Sequence, residues 1–342
     1  MSNKELLTSS YDFTLPEDLI ATHPASPRDN AKLLVYDRAT DSITHTYFYD
    51  FEKFIPQDSV LIFNDTKVIK ARIYGHKPSG GKIELLINRA LDAYNVNVYI
   101  RGKVKVGTNI LFDENLIAEV KELNEDGSRV VNFLQNSELL RFEEILPIID
   151  IIGHVPLPPY IQREDDKSDE DEYQSVFASQ EGAVAAPTAS LHFTPEQHQR
   201  ICDKFSHAYV TLHVGSGTFK PVEVTTITDH PMHSEYYDIS DKAKRLLDTS
   251  KPILTIGTTS TRTVEYYVRH KEEQKGEANL FLHPNNKPQR VNHILTNFHL
   301  PKSTLLMLVA SFVGVDKTQE LYANAIENRY RFYSYGDAML IL

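Results

Sequence analysis

Hydrophobic and polar positions along this chain follow two different periods, and the pattern changes near residues 67 and 153. Leu33–Tyr36 and Val60–Phe63 are short apolar runs, the signature of strands buried on both faces. Asn64-Asp65 ends the second run, and Pro16 followed by Glu17 and Asp18 predicts a helix start. From Lys67 to about Asp150 the stretches VIKARIYG, IELLINRA, NVNVYIRG and NILFD are separated by turn signals. Ser79-Gly80-Gly81 and Glu125-Asp126-Gly127 are hairpin turns. Strands at this spacing predict a small antiparallel barrel, with no helical period before Leu139–Ile145.

After Gly153 a mixed pattern returns, beyond a rigid turn marked by Pro156, Pro158 and Pro159. Strands are predicted over Ala208–Val214, Ile253–Gly257 and Asn292–Thr296. Helices are predicted over Pro195–Phe205, Asp241–Thr249, Arg262–His270, Thr304–Val313 and Thr318–Tyr330. Ser303 is placed to cap the fourth helix, whose LLMLVASFV body is apolar all round and therefore belongs inside. This alternation predicts a layered α/β domain. It is built from both chain ends, residues 1–66 and 154–342, with an antiparallel β-barrel inserted at 67–153. Two consecutive domains are the simpler alternative.

Composition narrows the class. Of 342 residues 41% are hydrophobic and 24% charged, enough apolar material for a substantial core. No run of about 18 apolar residues predicts a membrane span, and Met1–Thr8 lacks the apolar stretch of a signal peptide. The single cysteine, Cys202, excludes an intramolecular disulfide framework and a cysteine-rich zinc site, and a reducing cytoplasm is the expected compartment. Net charge is −11, which argues against a protein that coats nucleic acid non-specifically. Seven acids between Glu164 and Glu172 predict a solvated loop. Lys67, Lys70, Arg72, Lys77, Lys82, Arg101, Lys103 and Lys105 make the start of the barrel basic, either a nucleic-acid track or plain solvated surface.

Candidate chemistry concentrates further on. Ten of the fourteen histidines lie between His192 and His299, the side chain best suited to proton transfer near neutrality. DHPMHSE (Asp229–Glu235) offers His230, His233 and Glu235, but Pro231 breaks the helical spacing of a zinc-binding pair. Two loops rich in Gly, Ser and Thr follow predicted strands. VTLHVGSGTF contains Gly215, Gly217 and Thr218; LTIGTTSTRTVE contains Gly257, Thr258, Thr259 and Ser260, then Arg262 and Glu265. Backbone N–H groups at such junctions bind phosphates, carboxylates or a nucleotide's sugar edge. Neither loop fits the phosphate-binding or dinucleotide fingerprint. Small residues in GAVAAPTASLHFT permit close approach of a flat ligand, with His192 and Phe193 beside it. YRFYSYGD forms either a stacking wall or a buried aromatic hairpin.

Taken together these segments resemble the S-adenosylmethionine:tRNA ribosyltransferase-isomerase family of queuosine biosynthesis. The resemblance rests on YDFTLPEDLIATHP, PRDNAKLLV, LIFNDTKVIKARIYG, YQSVFA, GAVAAPTASLHFT, VTLHVGSGTFKPV, HPMHSEYY, GTTSTRTVE, LTNFHLPKSTLLMLVASFVG and YRFYSYGDAMLIL, in order and over nearly the whole chain. Ser190 and Ser216 stand where the family usually has Gly and Ala, and Glu277–Pro288 matches less well.

The resemblance implies the same fold and a transferase. The ribosyl part of S-adenosylmethionine moves to the aminomethyl group of a 7-deazaguanine at the wobble position of a tRNA with a GUN anticodon. Epoxyqueuosine forms, and adenine and methionine leave. S-adenosylmethionine is a substrate, and neither cofactor nor metal is expected. The chemistry asks for a base at the acidified C5′ protons, an acid for adenine, and exclusion of water. Candidates are His192, His213, His230, His233 and Glu235, with His299. Arg262 is expected to hold the methionine carboxylate beside Gly257–Ser260, with Gly215, Gly217 and Thr218 completing that site. Lys67, Arg72, Lys302 and Arg331 are expected at the tRNA. No membrane partner is expected, and the default state is a monomer. Two other readings remain open: a metal-dependent hydrolase using His230, His233, Glu235 and His299, and a non-catalytic RNA-binding barrel.

Overall fold

The computed structural model describes residues 3–215, 222–271 and 273–342. After 3-10 turns near the N-terminus come β1 (Lys32–Asp37), β2 (Ser42–Tyr47), β3 (Val60–Asn64) and β4 (Thr66–Val68). The barrel strands follow: β5 (Arg72–His76), β6 (Lys82–Ala90), β7 (Asn95–Arg101), β8 (Asn109–Leu111), β9 (Leu116–Leu123), β10 (Arg129–Gln135) and β11 (Glu138–Leu139). Next are α1 (Phe142–Ile152), α2 (Asp169–Glu172), β12 (Gln180–Ala183), α3 (Pro195–Lys204), β13 (Ser206–Leu212), β14 (Glu235–Ile239) and α4 (Asp241–Leu247). The chain continues through β15 (Ile253–Ile256), α5 (Gly257–Arg269), β16 (Lys275–Ala278), β17 (His293–Asn297), α6 (Thr304–Val313), α7 (Val315–Glu327) and β18 (Ala338–Ile341).

Nine strands form one sheet in the order β16-β14-β13-β3-β15-β17-β18-β1-β2. The central four, β13, β3, β15 and β17, run parallel. Every residue of β3 is buried, as its unbroken apolar run requires. Side chains alternate between two covered faces. Leu33, Val35, Leu61, Phe63, Leu254 and Leu295 pack with Phe48, Phe51, Phe193 and Ile201 of α3. On the other face Val60, Ile62 and Ile253 meet Val264 and Tyr267 of α5, and Leu34 and Ile294 share a core with α6 and α7. The last strand is interior: β18 lies between β17 and β1, with Leu33 opposite Ala338.

The second sheet closes on itself, because β10 pairs with both β7 and β9. The ring β10-β7-β6-β5-β8-β9 is the expected antiparallel barrel, and both predicted hairpin turns join its strands. Ile83, Leu85, Ile87, Val96 and Val98 point inward, and Ile145 and Ile149 of α1 share their core.

Several local expectations are corrected. Leu139 ends the short strand β11, so the helix begins at Phe142 and not before. The predicted helix after Pro16 is only a 3-10 turn, Glu17–Leu19. Helix α5 starts at Gly257, five residues before Arg262, so the supposed Gly/Thr loop is the helix's first turn. Glu235 begins a strand. The acidic run is anchored rather than wholly solvated. Asp169 is fully buried, accepts from both Arg163 Nη1 (2.6 Å) and Nη2 (2.7 Å), and receives the Tyr335 hydroxyl at 2.7 Å. Ser303 caps α6 as predicted, accepting from the Leu306 N–H at 3.2 Å.

Asn64, fully buried at the end of β3, joins three elements. Its Oδ1 accepts from the N–H groups of Leu212 (3.0 Å) and Thr66 (3.2 Å). Its Nδ2 donates to the Leu212 carbonyl and Thr259 Oγ1, both at 3.1 Å. Asn64→Ala strands buried backbone groups and is expected to cost roughly 2–4 kcal/mol in urea unfolding.

Candidate active site

Strands of an open parallel sheet present their carboxyl ends to ligands. Here those ends are Asn64 of β3, Leu212 of β13, Ile256 of β15 and Asn297 of β17. Two clefts open there. The segment after β13, His213–Gly215, runs between them: Val214 faces the inner cleft, while His213 and Gly215 face the outer. The Val184 N–H donates to the Val214 carbonyl (3.0 Å), so residues 182–186 complete the partition.

The inner cleft is mostly apolar, with polar groups at Thr188, Thr258, Thr259, Asn297 and His299. Gly257, at φ +91°, lets the chain turn from β15 into α5. No side chain caps that helix, so its first N–H groups remain available to an anion. His299 Nε2 lies 2.8 Å from Thr296 Oγ1, and the His299 backbone N–H donates to the Tyr322 hydroxyl at 3.0 Å. Burial pushes the His299 pKa down to about 3, so the ring is neutral at working pH. Asn297 Oδ1 lies 2.9 Å from His192 Nε2, and its Nδ2 donates to the carbonyls of Tyr333 (2.9 Å) and Ser334 (3.2 Å). His192 is itself buried against Phe48 behind that wall, and burial takes its pKa down to about 4.

The outer cleft, about 440 Å³, lies between β6 of the barrel and β14 of the large sheet. His213 stacks on Tyr236 with ring centroids 5.5 Å apart and planes 18° apart. Its Nδ1 lies 2.7 Å from Thr66 Oγ1, and burial lowers its pKa. A fixed Nδ1 leaves Nε2 as the ring atom for substrate. Gly182 makes room for it: a Cβ there, at φ +145°, would lie 2.9 Å from His213 Nε2. Below, buried Glu235 accepts from the Gly215 N–H at 3.0 Å and pairs with Arg262 Nη1.

The family model described as "Queuosine biosynthesis protein" matches residues 8–341. A relative from Sulfurimonas denitrificans, named S-adenosylmethionine:tRNA ribosyltransferase-isomerase, is 76% identical over 342 residues, all of both chains. The chain belongs to the S-adenosylmethionine:tRNA ribosyltransferase-isomerase family. A second relative of that name, from Nitratiruptor, is 59% identical over 98% of this chain and 99% of its own. The crystal structure of S-adenosylmethionine tRNA ribosyltransferase from Thermotoga maritima is 32% identical, with a TM-score of 0.54 over 97% of this chain and 100% of that one.

In this member of the ribosyltransferase-isomerase family the expected residues are distributed as follows. Gly257, Thr258, Thr259 and His299 line the inner cleft; His213, Gly215, His233 and Glu235 line the outer. Gly217 and Thr218 lie outside the described residues. Ser260 turns back to the Ile256 carbonyl at 2.8 Å and faces neither cleft. Arg262 is engaged by Glu235, and its Nε donates to the Leu280 carbonyl at 3.3 Å. Its Nη2 is buried and has no hydrogen-bond partner among the described residues. Glu265, further along the same segment, is buried and receives the N–H groups of Gln289, Arg290 and Val291. His230 lies in a separate shallow depression with Phe281 and His283. The four residues of the hydrolase reading thus lie in three places, and among the described residues no group of three metal-ligating side chains converges.

The cations expected at tRNA are each paired. Lys67 meets Glu181 at 2.8 Å, Lys302 meets Asp12 at 2.7 Å, Arg331 meets Asp337 at 2.9 Å, and Arg72 lies 3.3 Å from Glu84. Gly182 belongs to the small-residue segment singled out in the sequence, whereas nothing local marked Thr66, Tyr236 or Asn297 beyond their places at strand ends.

Two buried neutral histidines carry a pH consequence. The folded pKa values of His192 and His299 lie below the unfolded value near 6.5, so the unfolded chain binds more protons in between. Stability is therefore complete above about pH 6.5 and falls as pH drops toward 4. Urea midpoints measured from pH 7.5 to 4.5 should fall, and His299→Gln should flatten that fall.

Proposed function

We propose that this protein transfers and isomerises the ribosyl moiety of S-adenosylmethionine onto 7-aminomethyl-7-deazaguanine at the tRNA wobble position, giving epoxyqueuosine and releasing adenine and methionine. The observation that carries the reading is full-length identity of 76% to a relative of that name. The two clefts that meet at His213–Gly215 support it. One is small and largely apolar; the other is polar and open enough for a base that projects from a macromolecule.

S-adenosylmethionine is assigned to the inner cleft, its carboxylate at the uncapped start of α5 and its adenine toward His299 and Asn297. A neutral His299 hydrogen-bonds the leaving base without adding charge. The ribose is assigned to the edge where the two clefts meet, so that the sulfonium-acidified C5′ proton lies within reach of His213 Nε2, with Thr66 holding the opposite nitrogen. The aminomethyl base enters through the outer cleft, where burial keeps His213 neutral and so able to act as a base. Apolar walls exclude water from the activated ribose. Glu235 and Arg262 position Gly215 and thereby the exit of β13. We assign residues 1–66 and 154–342 to the catalytic domain and 67–153 to the inserted one, take the acceptor to be a tRNA with a GUN anticodon, and take the protein to be a cytoplasmic monomer that needs no metal or cofactor. Among the described residues no helix is long and apolar enough to cross a membrane.

Adenine and methionine release is followed chromatographically with S-adenosylmethionine and the modified tRNA. Equimolar release that requires the modified base and persists in EDTA is the expected result. Binding of tRNA without release would favour a binding module, and loss in EDTA would favour a metal enzyme. His213→Gln is expected to lower kcat about 10²–10⁴-fold, as for a lost general base. Activity of the native protein should hold from neutral pH upward and decline in acid as His213 is protonated. Gly182→Ala should reduce turnover by displacing the His213 ring, and a retained unfolding midpoint would separate that effect from misfolding.

A further inference from the structure

The outer face of the barrel extends the outer cleft into a basic surface. Side chains on β5, β6 and β7 alternate, with Ile73, Ile83, Leu85, Ile87, Val96 and Val98 inside. The outward row begins at the cleft with Asn88, whose Nδ2 donates to Asn97 Oδ1 at 2.9 Å, and with Tyr99. It continues through the cross-strand neighbours Tyr74, Glu84 and Arg101, and ends at His76 and Lys82. Lys77 Nζ reaches the Lys103 carbonyl at 3.1 Å, which brings the β5–β6 hairpin against the segment after β7.

Charge on this face is unlike the rest of the molecule. No acid occurs from Arg72 to Ile83 or from Tyr99 to Phe112, in a chain of net charge −11. Lys82, Lys103 and Lys105 are exposed and make no ion pair among the described residues. Lys67, Lys302 and Arg331, by contrast, are matched by carboxylates. Six residues of β6 separate Asn88 from Lys82, about 20 Å at 3.3 Å per residue. That span is too long for a nucleoside or S-adenosylmethionine; a polyanion that enters the cleft and continues along the barrel bridges it.

We propose that Lys82, Lys103 and Lys105 bind the phosphate backbone of the substrate tRNA beyond the nucleotide held in the outer cleft, while Arg101 on the same face is already paired with Glu84 (3.7 Å). This rests on the tRNA reading above. Each lysine contributes one phosphate contact and one share of the salt dependence, without sequence preference.

The test compares two charge-matched variants of the full chain in filter binding to the modified tRNA across a KCl series. One is Lys82→Gln/Lys103→Gln/Lys105→Gln. The other is Lys244→Gln/Lys251→Gln/Lys271→Gln, which changes exposed lysines elsewhere. The barrel variant is expected to bind roughly tenfold or more weakly at low salt, with a slope of log K against log [salt] shallower by about 2–3. Its KM for tRNA should rise while kcat at saturating tRNA holds, and Lys→Arg at the same three sites should restore binding. Unchanged affinity and slope overturn the proposal while adenine release continues, and so does an equal loss in both variants, which would mark a net-charge effect. A native protein that neither binds tRNA nor releases adenine overturns the functional reading and this proposal together.

Discussion

The side-chain amide of Asn64 fixes the geometry on which both clefts depend. It binds the exit of β13 through both backbone groups of Leu212 and reaches Thr259 in the first turn of α5. These bonds are fully buried, where an unmade hydrogen bond is expensive and a made one is directional. The partition His213–Gly215 and the start of α5 are therefore set relative to one strand end. Thr66, two residues on, then orients His213 from the same segment. Positioning of both clefts passes through residues 64–66.

Around that anchor the protein keeps its internal electrostatics nearly neutral. His192 and His299 are buried uncharged, each tied to an amide or hydroxyl. Of the ion pairs that touch the outer cleft, Arg89 with Glu277 and Lys67 with Glu181 are half-exposed, while Glu235 with Arg262 is buried. Such a pair adds little net stability, since desolvation offsets the attraction, but removing one partner leaves the other charge stranded. Through Glu235 it ties Gly215 to α5.

Legibility in the sequence followed from how local each signal was. The run Val60–Phe63 and the hairpin turns at Gly80 and Gly127 announce themselves within a few residues, so the central strand and the barrel were readable. The start of α5 was not, because Gly257-Thr258-Thr259-Ser260 has low helix propensity and packing overrides it. Asp169 read as solvent-facing because its partners, Arg163 and Tyr335, include one 166 residues away. The pairing of Arg262 with Glu235 is equally non-local. Histidine density singled out residues 192–299, and of the six proposed acid/base groups His213, His233, Glu235 and His299 line the clefts, while His192 supports a wall from behind. Pattern located the clefts' elements; only tertiary contacts assigned their side chains.

The interior place of β18 matters during synthesis. A ribosome delivers β1 some three hundred residues before its partner, and β18 is what joins the β1–β2 hairpin to the rest of the sheet. The barrel strands, by contrast, all emerge within one contiguous segment and pair with one another. Nascent chains thus carry a finished barrel on an open, two-part sheet, whose apolar edges stay unpaired until residue 341 leaves the exit tunnel. Chaperone demand should accordingly persist until β18 has emerged, and the two parts of the large sheet are joined only then.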